Sequence, residues 1–131
     1  DHCRGIDLII QKGAFGETYN IGGNNEWKNI DVVSLLCEIV NEKFSDLPGL
    51  ASRFPDSPCA QKKDAKSLIT YVNDRLGHDA RYAVDATKIQ TQLGYEPLIS
   101  FKEGLRLTVD WYLENEIWWQ SILDGSYRNH N

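Results

Sequence analysis

The stretch from Asn29 to Phe44 constrains the fold more than any other. Val33, Leu36, Cys37, Val40 and Phe44 recur at helical spacing, and Val32, Leu35 and Ile39 form a second apolar stripe beside them. A helix that is apolar on two sides must be buried between neighbours rather than laid on a surface. Asn29 reads as its N-cap, and Asp31 sits in the first turn, where a carboxylate meets the positive end of the helix dipole. The rest of the chain has to supply elements that cover such a helix.

Those elements are legible in outline. Ile6, Ile9 and Ile10 recur at helical spacing within residues 2–12, and Gly13 stands just beyond as a stop. From Gly16 to Ile21 the side chains alternate, Tyr19 and Ile21 one way, Thr18 and Asn20 the other, which reads as a short strand. Gly22-Gly23-Asn24-Asn25 turns the chain. Leu68 to Val72 is β-branched and aromatic and reads as a second strand. Asp85 reads as the N-cap of a helix from Ala86 to Leu93 that ends at Gly94, a left-handed C′ residue. Ser100 and Glu103 form a capping box, and the helix it opens carries Phe101, Leu105, Val109, Tyr112 and Leu113 on one face. Trp111, Trp118 and Trp119 cluster near its end, which reads as packing, some of it against a part of the protein missing from this chain. Residues 45–67 hold three of the four prolines and a solvated lysine cluster, and read as an inserted loop. The expected fold is α/β: one small domain over residues 1–131, with two or three short strands and three to four helices.

Composition removes several function classes. The net charge of −5 argues against nucleic acid or an anionic membrane as partner. No apolar stretch approaches the length of a bilayer span. Cys3, Cys37 and Cys59 are odd in number and have no metal-ligand spacing, so free thiols in a reducing, cytoplasmic compartment are expected. The chain contains no Met, which leads us to expect a fragment of something longer. There is no His-Glu-x-x-His, no Cys-x-x-Cys, no Walker loop and no Gly-x-Ser-x-Gly. Gly22-Gly23 lacks the third glycine of a dinucleotide fingerprint, and no tyrosine has a lysine four residues on. No catalytic set can be assembled, but binding groups can. Between Val72 and Asp85 lie Arg75, Gly77, His78 and Arg81. A guanidinium fork, a switchable imidazole donor and a glycine that lets backbone approach suit a phosphate or diphosphate. A solvated loop with Asp74 and Asp79 as salt-bridge partners is the competing reading.

Several ordered segments carry a resemblance. They are residues 16–26 (Gly16-Glu17-Thr18-Tyr19-Asn20-Ile21-Gly22-Gly23-Asn24-Asn25-Glu26), Lys28 to Val33, Ile69 to Val72, Asp74-Arg75, Gly77-His78-Asp79, Arg81-Tyr82-Ala83 and Asp85. Leu93 to Pro97, Phe101, Gly104-Leu105 and Thr108 to Tyr112 continue it, and Asp1 to Arg4 looks like the close of a Tyr-Val-x-Asp-His segment. Together they resemble the C-terminal part of dTDP-glucose 4,6-dehydratases, in the extended short-chain dehydrogenase/reductase family. The resemblance covers nearly everything except residues 45–67.

What it implies is a substrate-binding lobe of a lyase that converts dTDP-glucose to dTDP-4-keto-6-deoxyglucose. Bound NAD, the catalytic Tyr and Lys and the acid/base carboxylates would belong to an N-terminal Rossmann domain. By the resemblance, Asn25, Arg75 and His78 match positions that hold the sugar-nucleotide diphosphate, and the parent is a homodimer. This chain alone is expected to be inactive. Two departures stand out: Leu76 replaces the family's proline, and Gly5 stands inside a helix where alanine is preferred, which weakens that helix. Two other readings remain: the same lobe of an epimerase or decarboxylase acting on a nucleotide sugar, or a non-enzymatic nucleotide-sugar-binding module.

Overall fold

The computed structural model describes residues 1–73, 75–77 and 82–129. Among them are six α-helices: α1 (His2–Lys12), α2 (Asn29–Asp46), α3 (Gly49–Arg53), α4 (Thr87–Leu93), α5 (Phe101–Glu114) and α6 (Glu116–Leu123). Short 3₁₀ turns cover Ala65–Leu68 and Ser126–Asn129. The expected strands are a correction: among the described residues there is none, and the helices outnumber the three or four expected. The alternation at residues 16–21 does sort side chains, because Tyr19 and Ile21 pack inward. A strand also needs a backbone ladder from another segment, and alternation within one segment says nothing about that partner. At residues 68–72 the apolar run lies largely in solvent, with Tyr71 84% and Val72 82% exposed, so β-propensity without burial left no strand there.

The chain divides into two units, residues Asp1–Leu35 with Ile69–Glu103, and residues from Leu36 to Leu68 with those from Gly104 onward. The core of the first unit is Ala86, Ile89, Leu93 and Tyr95, packed against Leu8, Ile9, Tyr19 and Ile21. Helix α4 forms because its cap chemistry is local. The Asp85 carboxylate accepts the Thr87 N–H at 2.8 Å, although the capping position itself falls on Ala86, one residue later than expected. At the other end Gly94, at φ 73°, takes the left-handed conformation that lets its N–H close on the Gln90 carbonyl. Gly13 ends α1 differently: it is extended, and its N–H bonds the Ile9 carbonyl at 2.8 Å.

Gly5 weakens α1 locally, but it has a packing role that helix propensity does not show. It is buried, and a Cβ built on it would lie 2.8 Å from Ile21 Cγ2 and 3.0 Å from Ile21 Cδ1. The glycine allows α1 to touch the 19–21 segment, and the β-branched Ile21 has little rotamer freedom to withdraw. Gly5→Ala is therefore expected to destabilise. An overpacking cost of about 1–3 kcal/mol outweighs the roughly 1 kcal/mol of helix propensity gained. A urea melt checks this, and a raised midpoint contradicts it.

In the second unit, Ile39 of α2, Leu50 of α3, Ala65 and Val109 of α5 are buried. Asn41 organises the return of residues 59–65: its Nδ2 donates to Asp64 Oδ1 at 2.9 Å, and its Oδ1 accepts the Ala65 N–H at 3.0 Å. The Cys59 thiol donates to the same Oδ1 at 3.2 Å, and burial pushes that thiol above its ordinary pKa. Lys43 pairs with Asp110 at 2.5 Å and Arg106 with Glu42 at 2.6 Å. Within the aromatic cluster Trp111 meets Trp118 edge-on at 5.1 Å, and Trp119 donates its indole N–H to the Tyr112 carbonyl at 2.8 Å, while Trp111 and Trp118 remain 41% and 53% exposed. No helix among the described residues is long and apolar enough to cross a membrane.

Candidate functional site

The turn that carries Asn25, Gly22 to Glu26, belongs to the first unit and is presented by what precedes it. Ile21 is anchored in the α4 core, and Asn20 Nδ2 donates to the Asp85 carbonyl at 3.2 Å. Below them Lys88 of α4 grips residues 17–19. Its ammonium donates to Glu17 Oε2 at 2.6 Å and to the Thr18 carbonyl at 3.0 Å, and lies 4.8 Å from the Tyr19 ring centre. The Lys88 hydrogen bond, followed by its charge, holds the Glu17 carboxyl below the usual carboxylate range. The neighbouring Asp85 is lowered as well, by the Thr87 hydroxyl and backbone N–H.

The two glycines let the chain fold tightly. A Cβ on Gly22 would sit 3.4 Å from the Val84 side chain, and one on Gly23 only 3.2 Å from Asn25 Nδ2. Asn24 then takes φ 54°, a left-handed conformation that asparagine tolerates better than most residues. Asn25 folds back so that its Nδ2 donates to the Gly23 carbonyl at 2.6 Å. The turn, with Tyr82 and Val84, borders an open cleft of about 640 Å³. A primary amide brings two N–H groups and one carbonyl oxygen to such a place, enough to donate to an anion while one N–H stays on the backbone.

Of the expected site residues, Asn25 therefore lines the cleft. Arg75 is exposed and precedes the Leu76-Gly77 turn, where Gly77 takes φ 74°. Leu76 is fully solvent-facing. His78 and Arg81, with Asp74 and Asp79, lie outside the described residues. Sequence reasoning missed Gln90, whose Nε2 donates to Asn24 Oδ1 at 3.1 Å across 66 residues, and it did not place Tyr82 on a cleft wall. Nothing local could have flagged Gln90, because it stands between two buried α4 residues in an ordinary helical pattern. Among the described residues no group of three or more His, Cys, Asp or Glu could hold a metal.

The family model described as GDP-mannose 4,6 dehydratase matches residues 1–108, and the chain belongs to that family. It is 48% identical over 98% of its length to the dTDP-glucose 4,6-dehydratase of Neisseria meningitidis, and 46% identical to that of Xanthomonas campestris. In each case it spans about a third (33%) of the relative's length. Among solved structures it is similar to the dTDP-glucose 4,6-dehydratase of Bacillus anthracis in complex with NAD, with a TM-score of 0.67 and 39% identity. That match covers 91% of this chain and 30% of the other.

Proposed function

We propose that this chain is the C-terminal substrate-binding part of a dTDP-glucose 4,6-dehydratase, a cytoplasmic, homodimeric lyase that forms dTDP-4-keto-6-deoxyglucose. The observation that carries the reading is the coincidence of two facts. Residues 16–26 bear the family resemblance, and the same turn forms the cleft wall with Asn25 on it. In the proposal Asn25, Arg75 and His78 hold the diphosphate of the sugar nucleotide. A protein of net charge −5 has to concentrate cations locally to bind such a group, and Arg75 supplies a planar fork of donors for it. Fixing the diphosphate fixes the sugar, so the role of these residues is orientation rather than bond making.

NAD does not fit this chain. The Gly22-Gly23 pair lacks the third glycine of the fingerprint, and among the described residues no strand leads into it. The proposal assigns the dinucleotide, and the redox chemistry it supplies, to the remaining two-thirds of such a protein.

The test is turnover by the full-length protein that carries this chain, with dTDP-glucose and GDP-mannose offered in parallel. Loss of one water from dTDP-glucose, read by mass spectrometry, is expected, with little or none from GDP-mannose. The reverse preference, or neither, overturns the reading. Calorimetry of residues 1–131 alone with dTDP-glucose is expected to show weak binding or none.

A further inference from the structure

We infer that Gln90 is a positioning residue for Asn25, acting through Asn24; the functional consequence rests on the diphosphate reading above. The turn is held on both flanks. Before it, Ile21 sits in the core and Asn20 is tied to the Asp85 carbonyl. After it, Trp27 stacks on Phe101 with ring centres 5.0 Å apart and planes 28° from parallel. Flanking anchors fix where the turn starts and ends, but not how its apex is rotated.

The apex is where Gln90 acts. Asn24 at φ 54° occupies a narrow left-handed well, and the direction of Asn25 follows from that dihedral. Gln90 Nε2 donates to Asn24 Oδ1 at 3.1 Å and so ties the strained residue to a helix. That helix is a firm base. Ile89, immediately before Gln90, is completely buried, and Leu93 is buried one turn on. The Asn25 amide in turn rests over Gly23, where any side chain would press on it at 3.2 Å. Gln90 thus sets the amide that faces the cleft without lining the cleft itself.

The first readout is the Asn25 side-chain amide proton pair in ¹H–¹⁵N spectra of the full chain. Gln90→Ala is expected to shift it while far-UV circular dichroism stays unchanged. Gln90→Glu keeps the shape and removes the donor, and must shift it too. A pair unmoved by both variants, or moved by alanine alone, overturns the inference. The second readout is kinetic, with dTDP-glucose as the probe in the full-length protein. KM is expected to rise about three- to tenfold with kcat unchanged, the effect of one lost hydrogen bond. If the amide moves and KM does not, the positioning by Gln90 stands and the diphosphate role of Asn25 falls.

Discussion

Ile89→Ala is expected to cost the protein about 2–5 kcal/mol, the usual range for truncating a fully buried isoleucine. Ile89 has no solvent exposure, and it is the centre of the cluster that joins α4 to Leu8 and Ile9 of α1 and to Tyr19 and Ile21. Removing its three outer carbons leaves a cavity between segments that come from distant parts of the chain. Such a cavity can close only by moving α4, and α4 is held at one end by the Asp85 bond to Thr87 and at the other by Gly94. The loss should therefore lie toward the upper half of that range. Hydrogen exchange gives the sharper test, because the two units can be read separately. Amides of α1 and α4 should lose protection, while those around Val109 in the other unit should change less. Ile89→Val, which removes one methyl, should cost about 0.5–1.5 kcal/mol. A urea-derived loss below about 1 kcal/mol for the alanine variant would mean the core is not centred where Ile89 stands.

On the proposed function, Arg75→Ala in the full-length protein that carries this chain should raise KM for dTDP-glucose by about ten- to a hundredfold. That is the equivalent of losing a charge-assisted contact of about 1.5–3 kcal/mol. The residue stands exposed on a turn that ends with Gly77 in a left-handed conformation, so truncation leaves no cavity and stability should hardly change. Arg75→Lys keeps the charge and loses the fork, and is expected to recover only part of the affinity. Because the diphosphate is remote from the reacting carbons, kcat should fall less than KM rises. An unchanged KM removes Arg75 from the site. Leu76→Pro is the informative companion: a stiffer turn has less entropy to lose on binding, so restoring the family's proline should lower KM if the turn orders around the ligand.

Helices were legible because their signals are short-range. The apolar stripes of α2, the Gly94 stop after α4 and the Ser100 hydroxyl that accepts the Glu103 N–H at 3.2 Å all act within one or two turns. The inward set of residues 16–21 was legible for the same reason, since alternation sorts side chains locally. Asn25 could be named from the resemblance, and the cleft beside it came only with the fold.

What sequence could not contain was partnership between distant residues. Two alternating or β-branched runs met no ladder, because the backbone groups that complete a strand lie on another segment. Gly5 looked like a weak point in a helix until Ile21 was found against it. Lys88 with Glu17, and Gln90 with Asn24, are joined across 71 and 66 residues. Local chemistry by itself determined that α1, α2, α4 and α5 are helical and that Tyr19 and Ile21 face inward. Only the tertiary structure decided which helix face meets which turn, because that choice is made by packing volumes and hydrogen-bond distances between segments that no periodicity connects.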